Sequence, residues 1–277
     1  MGLVFLFLYA PIFVLIAFSF NESKSRANWT GFSLKWYVEL FQDSSIMSAF
    51  GTTIMVSVLA AAIATVLGTL TALGLMNMGR KSRNVILSVN NIPMTNADII
   101  TGVSMMLLFV AALSAVNATL GTNFKMGFVT LLLAHITFDT PYVILSVMPK
   151  LRQLDPNIME AAEDLGATST YAFRKVVLPE IMSGVVNGAI MAFTMSVDDF
   201  VISYFTAGSR TQTLAMVIYS MTRKRISPEI NALSTLLFVV VLALLVVVNL
   251  RQSRQAKAQA KREAILRGDQ EISEEIE

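Results

Sequence analysis

Residues 154–180 read LDPNIMEAAEDLGATSTYAFRKVVLPE, a charged, helix-forming stretch set between two long apolar runs. Asp155 suits an N-cap and Pro156 the first helical position. Asn157 to Leu165 then form about two and a half turns, which Gly166 ends. Ala161 and Ala162 leave one side of this short helix nearly bare, so that another protein's groove can approach its backbone. Glu160, Glu163 and Asp164 surround the bare patch with charge. A second helical run, Ser169 to Val177, leads through Leu178 and Pro179 back into apolar sequence. On composition alone such a segment serves equally well as a solvated connector, since charge-rich helical loops are common.

The rest of the chain sets the medium. Of 277 residues, 55% are hydrophobic and 14% charged, and the mean hydropathy is +0.63. That balance excludes a soluble globular domain and points to an integral membrane protein, an all-α, polytopic helical bundle. The chain contains no cysteine, which rules out disulfides and thiolate metal sites. Its 16 methionines are adaptable packing for such a bundle.

Six spans are expected, at about 3–20, 48–76, 85–113, 127–148, 181–207 and 228–250. The first lacks a basic lead and a small-residue cleavage site, so it reads as a span, kinked at Pro11, rather than a secretory signal. Residues 21–47 interleave Trp29, Phe32, Trp36, Tyr37 and Phe41 with polar groups, the pattern of a segment at the lipid–water boundary. Span two is rich in Ala, Gly, Ser and Thr, and span five contains Gly184 and Gly188 at the spacing that lets helices pack closely. Asn90, Asn91, Pro93, Asn96 and Asp98 predict that span three is broken at membrane depth, which requires protein or a water-filled cavity alongside. Ser227-Pro228-Glu229 reads as the capped start of span six, and 251–277 as a charged, solvated tail.

With both termini inside, Arg80, Lys81, Arg83, Lys150, Arg152, Arg174, Lys175 and the basic residues of the tail share the cytoplasmic side with the 150–180 loop. Lys24, Arg26, Lys35, Lys125, Arg210 and the Arg223-Lys224-Arg225 cluster fall outside, a weak bias that still follows the positive-inside rule.

Enzymatic readings find no support. HExxH, GxSxG and paired cysteines are absent, and the lone His135 has no second histidine for a metal site. Gly74 to Ser82 resembles a P-loop with one residue inserted, but it closes a membrane helix instead of following a strand. No catalytic residue and no metal site are therefore expected. The buried charges instead share one sign. Asp98, Asp139, Asp198 and Asp199 lie within the spans, with no Lys or Arg near the middle of any. Ionisable groups at that depth are costly and usually face a pathway or a polar interior. A cation is the ligand such a lining suits, with Asp98, Asp198 and Asp199 the pathway candidates; Asp139, close to Pro141, reads equally as the cap of a kink. On a helix the adjacent pair points about 100° apart, so at most one of Asp198 and Asp199 faces a pore squarely.

Glu160-Ala161-Ala162, Gly166 after three further residues, and then Leu178-Pro179 resemble the EAA loop of ABC-importer permeases. Residues 28–37, 135–142, 196–199 and 227–235 extend the likeness to the spermidine/putrescine permease family, second-subunit type. The resemblance implies a type I ABC importer permease with a MetI-like fold in the bacterial cytoplasmic membrane. It implies pairing with a second homologous permease, two copies of a cytoplasmic ATPase and an external substrate-binding protein. ATP and Mg would be bound by the ATPase, with no cofactor in this chain. Glu160, Ala161, Ala162, Asp164, Gly166, Leu178 and Pro179 would couple it to the ATPase. The amino terminus is short for that family, and an initial cytoplasmic stretch is expected ahead of it. The same scaffold carrying another small solute, or an ion-coupled carrier or channel acting alone, remain the alternatives.

Overall fold

The computed structural model describes residues 2–23, 28–155, 157–224, 229–243, 245–246 and 250. The helices in chain order are α1 (Gly2–Ser19), α2 (Lys35–Gln42), α3 (Ser44–Met76), α4 (Arg80–Thr95), α5 (Asp98–Leu120), α6 (Phe128–Gln153) and α7 (Ile158–Asp164). Next come α8 (Ser169–Ala172), a π turn (Phe173–Val177), α9 (Leu178–Asp198), α10 (Val201–Thr206), α11 (Leu214–Lys224) and α12 (Glu229–Ala243). Among the described residues, extended pairing is limited to one isolated bridge between Asn21 and Phe32.

Among the described residues, five helical stretches are long and apolar enough to cross a membrane: Gly2–Ser19, Ser44–Met76, Asp98–Leu120, Phe128–Gln153 and Ser169–Asp198. The sixth expected span, 228–250, is represented by the shorter apolar helix α12; Ser227, Pro228 and the tail 251–277 lie outside the described residues. Chain contacts divide into Met1–Leu233 and Ser234–Glu277.

The core is a bundle of α3, α6 and α9. Apolar side chains gain nothing by leaving lipid for one another, so close van der Waals approach has to hold such helices together. The small residues supply it. A Cβ on Gly68 of α3 would fall 2.7 Å from Cβ of Val143 on α6, and one on Gly188 of α9 would fall 3.0 Å from the Val143 Cα. Gly184 sits against the Ser146 carbonyl, where a Cβ would come within 2.8 Å. Ala61, Ala64, Ala72, Val147, Leu151, Ile181 and Ala192 complete the buried seam. Hydroxyls along the helices return to the carbonyl one turn back, as in Thr65 to Ala61, Thr140 to Ile136 and Thr194 to Ile190, so that they are satisfied without water.

Several expected boundaries move. The span placed at 85–113 is two helices, because the chain leaves α4 in extended geometry at Asn96 and Ala97 and restarts at Asp98. Pro93, which lacks an N–H, lies three residues before that break. Span four does not stop at 148 but runs through Pro149 to Gln153. Span five is interrupted: α9 ends at Asp198, Asp199 is extended, and α10 resumes at Val201. Within 21–47, Trp36 is buried to 1% exposure and donates through Nε1 to the Asn21 carbonyl at 2.7 Å. Trp29, Phe32 and Phe41 stay exposed.

Gly184→Val should lower the thermal midpoint of the purified protein, by a loss of about 1–3 kcal/mol for overpacking against a backbone carbonyl. Gly74→Ala, where nothing lies within 4 Å of the added Cβ, should leave it unchanged or raise it slightly. Equal midpoints for the two variants would refute glycine-mediated packing as the basis of the core.

Candidate coupling loop and substrate passage

The loop between α6 and α9 is built by local rules that the sequence displays. The Asp155 Oδ1 accepts the Asn157 N–H at 2.9 Å and turns the chain into α7; Pro156 lies outside the described residues. α7 starts at Ile158, with Asn157 instead of Asp155 at its N-cap and no side-chain cap, and ends one residue earlier than expected, at Asp164. Gly166 adopts φ +87°, its N–H donates to the Glu163 carbonyl, and the Ala167 N–H donates to the Ala162 carbonyl. That bonding pair is a Schellman motif, which satisfies the last carbonyls of the helix and depends on a residue that tolerates positive φ. No residue of α7 is buried. Glu160, Ala161, Asp164 and Gly166 are exposed, Ala162 is half-buried, and Leu165 is 90% exposed.

On the far side of the loop, α8 passes through the π turn into α9, with the Leu178 N–H donating to the Phe173 carbonyl. Pro179 follows at the start of α9, where its ring would crowd an ordinary helical turn. An extra residue in that turn is the usual way a helix accommodates such an obstacle. An open cavity of about 600 Å³ beside it is bordered by Thr168, Thr170, Tyr171, Arg174, Lys175 and Leu178. Leu154 at the end of α6 and Leu178 at the start of α9 both pack on the Val143 core cluster. The exposed helix is therefore tied at both ends to the buried bundle.

The four spanning carboxylates separate into distinct environments. Asp98 opens α5 and is exposed; Asp198 closes α9 and is also exposed. Asp199 turns inward, with its side chain only 8% exposed. One of its oxygens accepts the Ile202 N–H at 3.1 Å and the other the Ser203 N–H at 2.7 Å, so it caps α10. The His135 Nε2 stands 3.6 Å from the Asp199 carboxylate. The same ring hydrogen-bonds to Ser203 Oγ at 3.0 Å through Nε2 and to Ser196 Oγ at 2.6 Å through Nδ1. One α6 turn further on, Asp139 is 0% exposed, and neither of its carboxyl oxygens meets a hydrogen-bond partner among the described residues.

His135 thus fastens α6 to both sides of the α9–α10 break, a role that sequence reading missed. The signal available was the set of polar residues, Ser196, Asp199 and Ser203, at about one-turn intervals in an otherwise apolar frame. Among the described residues no cluster of His, Cys, Asp and Glu could hold a metal ion.

Residues 64–260 match the family model for the binding-protein-dependent transport system inner membrane component. This chain belongs to that family. Over 234 residues it is 43% identical to the putrescine transport system permease protein PotI of Escherichia coli K12, covering 84% of this chain and 82% of that protein. Over 246 residues it is 35% identical to the spermidine/putrescine transport system permease protein PotC of Haemophilus influenzae, covering 89% and 92% respectively. Among solved structures, a bacterial ABC transporter that imports alginate superposes with a TM-score of 0.71 at 15% identity, covering 91% of this chain and 92% of that one. An amino acid ABC transporter bound to histidine gives 0.53 at 20% identity, covering 80% and 99%. The fold is therefore that of an ABC importer permease, and the chain is a transport subunit of a multi-pass membrane assembly.

The environments of the adjacent carboxylates predict opposite phenotypes. Asp199→Ala should destabilise the purified protein by about 1–2 kcal/mol through loss of the α10 cap. Asp198→Ala should change stability by less than about 0.5 kcal/mol, as exposed substitutions do. Thermal unfolding of both variants checks this; a larger loss for Asp198→Ala would contradict the division.

Proposed function

We propose that this chain is one permease subunit of an ATP-driven importer of polyamines such as putrescine and spermidine. The observation that carries the proposal is its 43% identity, over 84% of the chain, to a permease named for putrescine. The exposed Asp98 and Asp198 support it, because a polycation crossing the membrane gives up hydration that carboxylates replace in part. The spans hold no mid-membrane Lys or Arg that would repel such a substrate.

In this reading a second related permease completes the passage, two copies of a cytoplasmic ATPase engage α7, and an external substrate-binding protein delivers the solute. The chain crosses the cytoplasmic membrane six times, α12 being the last crossing, with both termini inside. The binding protein rests on 21–47, 114–126 and 208–227. A cavity of about 270 Å³, lined in part by Ser45, Ser48, Arg210, Thr211 and Gln212, joins two of those segments. ATP binding closes the ATPase dimer and displaces the helix bearing Glu160, Ala161, Ala162 and Asp164. Leu154 and Leu178 pass the displacement to α6 and α9, and the passage changes the side on which it is open. Hydrolysis belongs to the ATPase; this subunit supplies the moving wall.

The reconstituted complex, with its binding protein, should take up labelled putrescine only when ATP is present. Gly166→Leu should abolish uptake while α6, α9 and their packing persist, since nothing in this chain lies within 4 Å of a Cβ there and the cost is the left-handed backbone plus the docked partner. Asp98→Asn with Asp198→Asn should impair uptake and spare assembly. Uptake by this chain without an ATPase, or normal uptake by Gly166→Leu, would overturn the proposal.

A further inference from the structure

Helix α4 carries a feature that the coupling loop and the spanning carboxylates leave unexplained. Its Arg83, Leu87, Asn90 and Met94 lie on one face and are half-buried. Leu87 packs against Leu75, Ile144 and Met148, so α4 runs beside the part of α6 that ends in the coupling loop. Opposite this face is an exposed apolar stripe of Val85, Val89 and Ile92, with exposures of 63%, 59% and 51%. Between the two runs a third line, Asn84, Ser88, Asn91 and Thr95, at successive spacings of four, three and four residues. Asn84, Ser88 and Thr95 are exposed and Asn91 is half-buried. Directly after this line come the break at Asn96–Ala97 and Asp98, which lies within electrostatic reach of Tyr142 near the middle of α6.

At a rise of about 1.5 Å per residue the line covers about 16 Å, roughly half the hydrocarbon thickness of a bilayer. Amides and hydroxyls over that distance need water, protein or a polar solute beside them, and lipid chains supply none of these. The apolar stripe beside them meets no such objection, so the two exposed faces have different surroundings. Every member of the polar line offers an oxygen that can accept. The Thr95 hydroxyl donates its proton back to the Asn91 and Ile92 carbonyls, at 3.3 and 3.1 Å, which leaves its lone pairs to accept. The Asn91 Oδ1 has no hydrogen-bond partner among the described residues. All four side chains are neutral, so each gives a shallow well that releases what it binds.

We propose that Asn84, Ser88, Asn91 and Thr95 form the coupling-loop half of the passage, a ladder of oxygen acceptors that receives the ammonium groups of the substrate from Asp98. This rests on the polyamine reading for the identity of the substrate, though the existence of the ladder does not. Successive rungs lie about 4.5 to 6 Å apart along the axis, so a short diaminoalkane holds one rung while its other end reaches the next.

The chain contains no cysteine, which makes single-cysteine replacement a direct test. Ser88→Cys, Asn91→Cys and Thr95→Cys, with Val85→Cys, Val89→Cys and Ile92→Cys as the comparison set, are assembled with cysteine-free partner subunits in sealed inverted vesicles. They are then exposed to a cationic, membrane-impermeant thiol reagent with and without ATP. Cysteines on the polar line should react severalfold faster than those on the apolar stripe in at least one nucleotide state, and putrescine should slow them. Protection by another solute but not by a polyamine would refute the substrate assignment and still support the ladder. Equal rates for the two stripes in every nucleotide state would overturn the ladder itself.

Discussion

The structure depends on how near three helices come to one another at Val143. In water, burial of apolar area would draw α3, α6 and α9 together; in lipid that term is nearly absent, and contact distance decides. Gly68 and Gly188 let their backbones approach Val143 from two sides, and Gly184 does the same at Ser146. Large side chains at these positions would separate the helices and forfeit short-range dispersion over the whole seam. The hydroxyls of Thr65 and Thr140 bond within their own helices and need no partner across the seam, whereas Ser57 and Thr69 of α3 are buried without one among the described residues.

A rigid seam gives the irregular elements something to work against. Both ends of the coupling loop rest on it through Leu154 and Leu178, and the break between α9 and α10 is fastened to α6 by His135. The interruptions at Asn96–Ala97 and at Asp199–Phe200 lie at the ends of the apolar stretches Asp98–Leu120 and Ser169–Asp198, and each leaves helix-end backbone groups that need a partner. Asp199 meets that demand at its own break by accepting two backbone N–H groups. Asp199, one of the three pathway candidates in the sequence, holds the chain at its break, while its neighbour Asp198 is exposed.

The membrane class and most of the helices were legible because length and apolarity set them directly. The end of the loop helix was legible for a different reason: a left-handed Gly is a local stop signal, and the chain follows it at Gly166, whereas the start falls at Ile158, with Asp155 turning the chain two residues ahead of the N-cap Asn157. What escaped were contacts between residues far apart in sequence. Nothing around Ser196 or Ser203 announces that both meet the same imidazole on α6. Trp36 looked like a boundary aromatic because composition cannot distinguish a ring at a lipid surface from one folded against Asn21. Helix ends near Pro93 and Pro149 shifted because proline in a membrane helix is tolerated when neighbours satisfy the freed groups, a condition invisible in a linear string.

Helix α7 buries none of its residues, and its shape is fixed by two flanking positions, the Asp155 turn and Gly166. The residues between them contribute almost nothing to the stability of the bundle, so their identity is free to follow whatever surface engages them. A scaffold arranged this way separates folding from recognition: the surface of the exposed helix can be rewritten while the helices beneath keep their form.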